Sequence, residues 1–242
     1  MTSLSIFSPR RLAQLIASDW TNTRRDPTLL FVALFAAMPA LLIWYFRAGI
    51  DRLGADMFGL AALSDWIVPI VLTLPPLMLG WVIGFLFLEE RDDGPLAAIS
   101  VTSVGRQGML AYRVSLAWTL SAIMTYLGAV LLLPASGFAV HLALAVIVGL
   151  EAIIVTTLLP AFAKNKVEGL ALTKLFNIGS IVPLAALIAS PVKYLAGIVP
   201  TFWIGEALYA DSALMPQAVA LGIGLLVHVL AVGLSFRVMR RK

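Results

Sequence analysis

Two residues capable of acid–base chemistry stand where the surrounding sequence has none. Glu151 lies in the middle of an apolar run from Ala145 to Leu159, and His228 interrupts another run near the end of the chain. A carboxylate inside hydrocarbon costs about 3 kcal/mol or more unless it is paired, hydrated or protonated. Glu151 must therefore face a cavity, another helix or a subunit interface. Lining or gating a translocation path is the functional expectation; a protonated, hydrogen-bonded packing residue is the plainer one. His228 suits either a partner for Glu151 or a second lining residue, although a lone histidine in such a run is more often structural.

The densest charge is Glu89-Glu90-Arg91-Asp92-Asp93, followed by Gly94-Pro95. It separates two long hydrophobic segments, so it belongs to a loop at a membrane surface. The four acids crowd the end of the preceding apolar run. If that run is a helix, its dipole disfavours them there, and Arg91, Arg106 and Arg113 are the nearest compensating cations. Pro95 suits the first turn of a new helix, where its missing N–H is not needed. Leu96 and Ile99 then share one face. Residues 89–104 read as a short surface helix with a charged side and an apolar side.

Other chemistry is excluded on residues. No Gly-x-x-x-x-Gly-Lys-Ser/Thr phosphate loop occurs, so the chain cannot hydrolyse ATP by that route. Asp93-Gly94-Pro95-Leu96-Ala97 opens like the Asp-Gly-x-x-Ala motif of phospholipid-headgroup transferases. Ala98 stands where that motif needs Arg, however, and the next acid is Glu151. A Gly-x-Ser-x-Gly elbow and a His-Glu-x-x-His site are also missing. There is no Cys, hence no disulfide and no Cys-based metal site. No catalytic residue, metal ligand or bound cofactor is expected.

The elements that must position these residues are membrane helices. The 242 residues are 61% hydrophobic and 12% charged, with mean hydropathy +0.98. A soluble domain is near half apolar and about a quarter charged. The fold class expected is all-α integral membrane, a single transmembrane domain over 1–242. Spans are expected at about 28–46, 66–88, 109–133, 138–163, 170–190 and 214–236, each near the roughly 20 residues a helix needs to cross. Residues 9–25 read as an interfacial helix with Leu12, Leu15, Ile16 and Trp20 on one stripe, ended by Asp26-Pro27. The basic leader resembles no cleavable signal, because the apolar run after it is long enough to span.

Pro39, Pro69, Pro75, Pro76 and Pro183 fall inside spans, where each frees a carbonyl that a neighbour must satisfy. Gly80 and Gly84 form a small-xxx-small pair that permits close helix approach within the chain or between chains. Residues 191–213 form the longest external connection. Leu195–Trp203 is too short to cross and is expected to dip into the outer leaflet, with Phe202, Trp203 and Tyr209 as interfacial anchors. Of the 17 Lys and Arg, all but Arg47, Arg52 and Lys193 fall on the side holding both termini and the 89–108 and 164–174 loops. The positive-inside rule makes that side cytoplasmic. The basic pI of about 9.6 reflects this flanking rather than nucleic acid binding.

Several stretches resemble the permease subunits of type-2 ABC exporters. An acidic pair, a Gly and a short amphipathic segment, closed by Val101-Thr102-Ser103-Val104 and then Arg106, resemble the loop between spans two and three, although Ser103 replaces the usual Pro. Arg24-Arg25-Asp26-Pro27 resembles the end of the N-terminal elbow helix. Pro200-Thr201-Phe202-Trp203 resembles the segment before the last span. Lys166-Val167-Glu168-Gly169 through Lys174 resembles the fluoroquinolone-export branch.

The resemblance implies that the 89–104 loop is a coupling helix for a separate ATPase, with Glu89, Glu90, Asp92, Asp93, Gly94, Leu96 and Ile99 as its residues. It also implies two ATPase subunits carrying ATP and Mg, and a second permease subunit as homodimer or heterodimer. The location implied is a bacterial inner membrane, with both termini cytoplasmic. The alternative is a non-transporting polytopic membrane protein, an intramembrane enzyme or scaffold, with Glu151 at its site.

Overall fold

A bare backbone amide finds no partner in hydrocarbon, so long apolar stretches must close their hydrogen bonds internally as helices. The computed structural model describes residues 27–92, 105–209 and 214–240 with Ala13, Ala17 and Thr21; of 27–30, 33, 89–92, 105–106 and 166 it describes the backbone alone. Its helices are α1 (Pro27–Phe58), α2 (Leu63–Asp92), α3 (Gly105–Leu132), α4 (Phe138–Phe162), α5 (Lys166–Ile178), α6 (Phe202–Leu208) and α7 (Gln217–Arg240). Two 3₁₀ turns, Val182–Leu187 and Pro191–Ile198, lie between α5 and α6. There is no strand among the described residues. Six segments are long and apolar enough to cross a membrane, so the chain is a multi-pass membrane protein. Of the expected 9–25 helix, only Ala13, Ala17 and Thr21 are described, all helical; the rest lies outside the described residues.

Helix α4 is the central element, packed against α2, α3, α5 and α7. Its position follows from small residues on its neighbours. A Cβ on Gly80 of α2 would stand 2.9 Å from Val155 Cβ and 3.0 Å from the Ala152 carbonyl oxygen, and one on Gly84 would stand 2.9 Å from Leu159 Cδ2. The Gly80/Gly84 pair thus serves packing within the chain. Hydroxyls add polar links: Thr156 of α4 donates to Gly80 O at 3.3 Å, and the Thr157 and Ser235 hydroxyls meet at 2.8 Å between α4 and α7. Helices in lipid associate through such close packing and hydrogen bonding.

The prolines of α2 are accommodated inside a continuous helix. Pro76 cannot bond to Leu72, four residues earlier. Thr125 of α3 donates to that carbonyl instead, at 3.5 Å.

Three expectations are corrected. The first span does not stop at 46: α1 runs on to Phe58. Its charged tail is neutralised locally. Arg47 pairs with Asp65 and donates to Leu132 O at 3.0 Å, while Asp51 accepts from Ser64 N at 2.8 Å. Gly59, at φ +68°, then ends the helix, with Leu60 N bonded back to Gly54 O at 3.0 Å, the left-handed stop that glycine favours.

The fifth span is not one α-helix. Helix α5 ends at Ile178, and its terminal carbonyls are taken by hydroxyls: Ser180 donates to Asn177 O at 2.7 Å and Thr201 to Gly179 O at 2.6 Å. Pro183 begins the first 3₁₀ turn rather than kinking a span.

The segment around Trp203 is folded into the protein. Phe202, Trp203 and Tyr209 are buried and are not interfacial anchors. Their polar tips bond internally, Trp203 Nε1 to Gly197 O at 2.8 Å and Tyr209 Oη to Trp66 O at 2.7 Å. Glycine makes the approach possible: a Cβ on Gly205 would lie 2.2 Å from Pro183 O.

Candidate functional site

Glu151 sits on the central helix α4 and His228 midway along α7. The two side chains meet, with Oε2 of Glu151 3.7 Å from Nε2 of His228. His228 is fully buried and Glu151 is 8% exposed. The ring of His228 turns back onto its own helix, where Nδ1 lies 2.7 Å from Gly224 O. Gly224 also receives Trp203, because a Cβ there would stand 2.9 Å from Trp203 Cβ. Of the two roles the sequence left open for His228, the structure shows the contact with Glu151, across the α4–α7 seam, and Thr157 with Ser235 extends that seam.

At the end of the bundle rich in Lys and Arg, a cleft of about 720 Å³ opens between α2, α3, α4 and α7. Phe87, Leu110, Phe162 and Phe236 give it apolar walls, and Lys164 and Arg240 give it two cations. Glu151 and His228 do not line it. Glu89, Glu90 and Asp92 fall on the last turn of α2, so the acids do crowd a helix C-terminus. Asp93, Gly94, Leu96 and Ile99, and with them the rest of the expected 89–104 surface helix, lie outside the described residues. Arg113, one of the cations expected to compensate the acids, is buried on α3.

The 164–174 stretch is mostly helix, not loop. Asn165 caps α5 by accepting from Glu168 N at 3.0 Å, and Glu168 reaches back to Lys164 N at 2.9 Å, close to a capping box. A Cβ on Gly169 would press on Phe85 Cε1 at 2.7 Å. The Glu-Gly pair in this stretch thus caps a helix and lets it approach α2.

The opposite end holds a cluster that sequence reading missed. Lys193 and Glu206 form an ion pair at 2.6 Å with both side chains fully buried. Glu206 Oε1 also accepts from Tyr194 Oη at 2.9 Å and from Leu214 N at 3.2 Å. Lys193 Nζ donates to Ala186 O at 3.3 Å and lies 5.6 Å from the centre of the Tyr194 ring. Both 3₁₀ turns, α6 and the approach to α7 are tied at one point. The available signal was a lone Lys in the sparsely basic external connection, followed by a lone Glu within a second apolar run.

Six segments long and apolar enough to cross a membrane, with a cleft at the basic end of the bundle, define a polytopic membrane protein. The family model described as "Fluoroquinolones export permease protein Rv2686c-like" matches residues 19–236, and the chain belongs to that family. Two curated relatives are the fluoroquinolones export permease proteins Rv2686c and MT2760 of Mycobacterium tuberculosis, strains H37Rv and CDC 1551. Each is 27% identical over 218 residues, covering 86% of this chain and 85% of the relative. No solved structure matches.

Proposed function

We propose that the chain is the membrane-spanning subunit of an ATP-driven exporter, a single transmembrane domain that forms half of a translocation path. The observation that carries this reading is the match to export permeases over nearly the whole chain, joined to a sequence without a phosphate loop. In this reading the energy comes from another polypeptide. The Lys/Arg-rich end is assigned to the cytoplasm by the positive-inside rule. Two ATPase subunits, holding ATP and Mg, dock at the 89–104 loop. Glu89, Glu90, Asp92, Asp93 and Gly94 form its charged entry, and Leu96 and Ile99 its apolar contact.

A second permease subunit completes the path. Helix α1 supports this, because only 6% of its span is buried within the chain and Leu34, Leu41, Tyr45 and Met57 are among its exposed residues. The cargo is amphiphilic: the cytoplasmic cleft combines apolar walls with Lys164 and Arg240, and the relatives are named for the export of fluoroquinolones. Glu151 and His228 act on the path from the α4–α7 seam, as a gate rather than as its wall.

A gentle detergent pull-down of the tagged chain from its native membrane tests the reading. A stoichiometric ATPase with a phosphate loop is expected, and Leu96→Asp is expected to lose it while the permease still inserts. Recovery of the intact permease without any ATPase, under conditions that preserve a known ABC complex, would sink the proposal.

A further inference from the structure

The seam between α4 and α7 poses a proton-counting problem. A carbonyl oxygen can only accept, so the 2.7 Å contact with Gly224 O fixes a proton on Nδ1 of His228. Nε2 of the neutral ring is then a bare lone pair. It faces Oε2 of Glu151, 3.7 Å away, and neither atom has a hydrogen-bond partner. If Glu151 were ionised and His228 neutral, two lone pairs would oppose each other and a net negative charge would sit unpaired in hydrocarbon. Such an arrangement is among the most costly a membrane helix can carry.

One proton resolves it. Placed on Oε2, it makes a carboxylic acid that faces the Nε2 lone pair, and closing the 3.7 Å gap by about 1 Å makes the hydrogen bond that satisfies both buried atoms without any charge. Placed on Nε2, it makes a carboxylate–imidazolium pair, which keeps two charges in a medium that desolvates both. The neutral arrangement is favoured.

Among the described residues no other group competes for this role. On α2 no titratable residue lies between Asp65 and Glu89. On α3, beyond Arg113, Tyr126 alone is titratable, and its ring lies against Phe138 and His141. His141, the other such group on α4, meets Leu133 O at 2.9 Å. On α5, Glu168 is held at the helix cap and Lys174 is exposed. Glu206 is committed to Lys193, Tyr194 and Leu214, and Tyr209 to Trp66 O. On α7 the next such residues are Arg237 and Arg240, near the helix end.

We propose that Glu151 and His228 form a binding site for a single proton in the middle of the membrane, which clamps α4 to α7 while the proton is bound. Loss of the proton leaves a negative charge and two opposed lone pairs, so the seam loosens and must admit water or a cation. The site is a property of this chain's own geometry. Its test needs neither ATPase nor cargo, so its failure is separate from any failure of the exporter reading.

The experiment uses the full-length chain in lipid nanodiscs. Infrared spectra at pH 7 are compared between wild type and Glu151→Gln. Exposed carboxyl groups are ionised at that pH, so a protonated-carboxyl C=O band that disappears in Glu151→Gln is the expected result. A wild type lacking any band that Glu151→Gln removes would overturn the proposal. A second measurement reads the histidine. The chain has two, so ¹⁵N-histidine labelling with solid-state NMR resolves both, and His228→Gln identifies the signals of His228. Wild type is expected to carry the proton on Nδ1 and a hydrogen-bonded lone pair on Nε2. A proton on both ring nitrogens, or on Nε2 alone, would refute the arrangement.

Discussion

Lys193 and Glu206 illustrate what a buried charge does at one residue. Removing water from both is costly, and the contact repays that cost only because the remaining hydrogen-bonding groups are also used. Tyr194, Leu214 N and Ala186 O supply those bonds. Deleting one partner strands the other, so Lys193→Met or Glu206→Leu should each lower stability by about 3–5 kcal/mol. The double variant should recover most of that loss, as thermal unfolding of the detergent-solubilised chain will reveal; a double loss equal to the sum of the two single losses would mean the pair is not coupled. Glu151 and His228 were legible in the sequence because each stands alone in a run with no other charge. Their contact was legible only as a possibility, since nothing in a sequence sets the rotation of α4 against α7. Glu206 was hidden for the opposite reason. It sits among the aromatic and small residues of 200–209, which read as an interface until Gly205 and Gly224 are seen to draw α6 into the protein.

Among the elements, the spans were legible where hydropathy and helix end together. They parted at α1 and α5. Hydropathy registers Arg47, Asp51, Arg52 and Asp56 as a boundary, yet a helix continues through charges that have partners, as Arg47 and Asp51 do. In α5 the run stays apolar beyond Ile178, but Gly179, Ser180 and Pro183 change the backbone without changing the polarity. Packing between helices gives a sharper prediction. Gly80→Ala places a methyl against the Ala152 carbonyl and Val155, and backbone cannot yield cheaply, so stability should fall by about 1–3 kcal/mol. A Cβ on Gly222, inside α7, would meet nothing within 4 Å, and Gly222→Ala should leave stability unchanged or raise it by up to about 1 kcal/mol. Parallel unfolding curves of the two variants check the contrast.

For the whole molecule, the count of Lys and Arg predicts an orientation that labelling can read directly. The chain has no cysteine, so single cysteines can be introduced without background. Ala189→Cys and Arg240→Cys are both at exposed positions. With a membrane-impermeant maleimide on intact cells, Ala189→Cys should react and Arg240→Cys should react only after lysis. The reverse pattern would invert the topology and move the 89–104 loop away from any cytoplasmic ATPase.

The attachment of α1 also has a history. Its charged tail is held by Asp65, made 18 residues after Arg47, and by the carbonyl of Leu132, made 85 residues after it. At a synthesis rate of about 5–20 residues per second, Asp65 follows Arg47 by roughly 1–4 s and Leu132 by roughly 4–17 s. For those seconds the newborn first helix carries an arginine whose final acceptor has not been translated. The ribosome therefore delivers α1 as a waiting piece, and the last of the Arg47 contacts can form only once the third helix has been made.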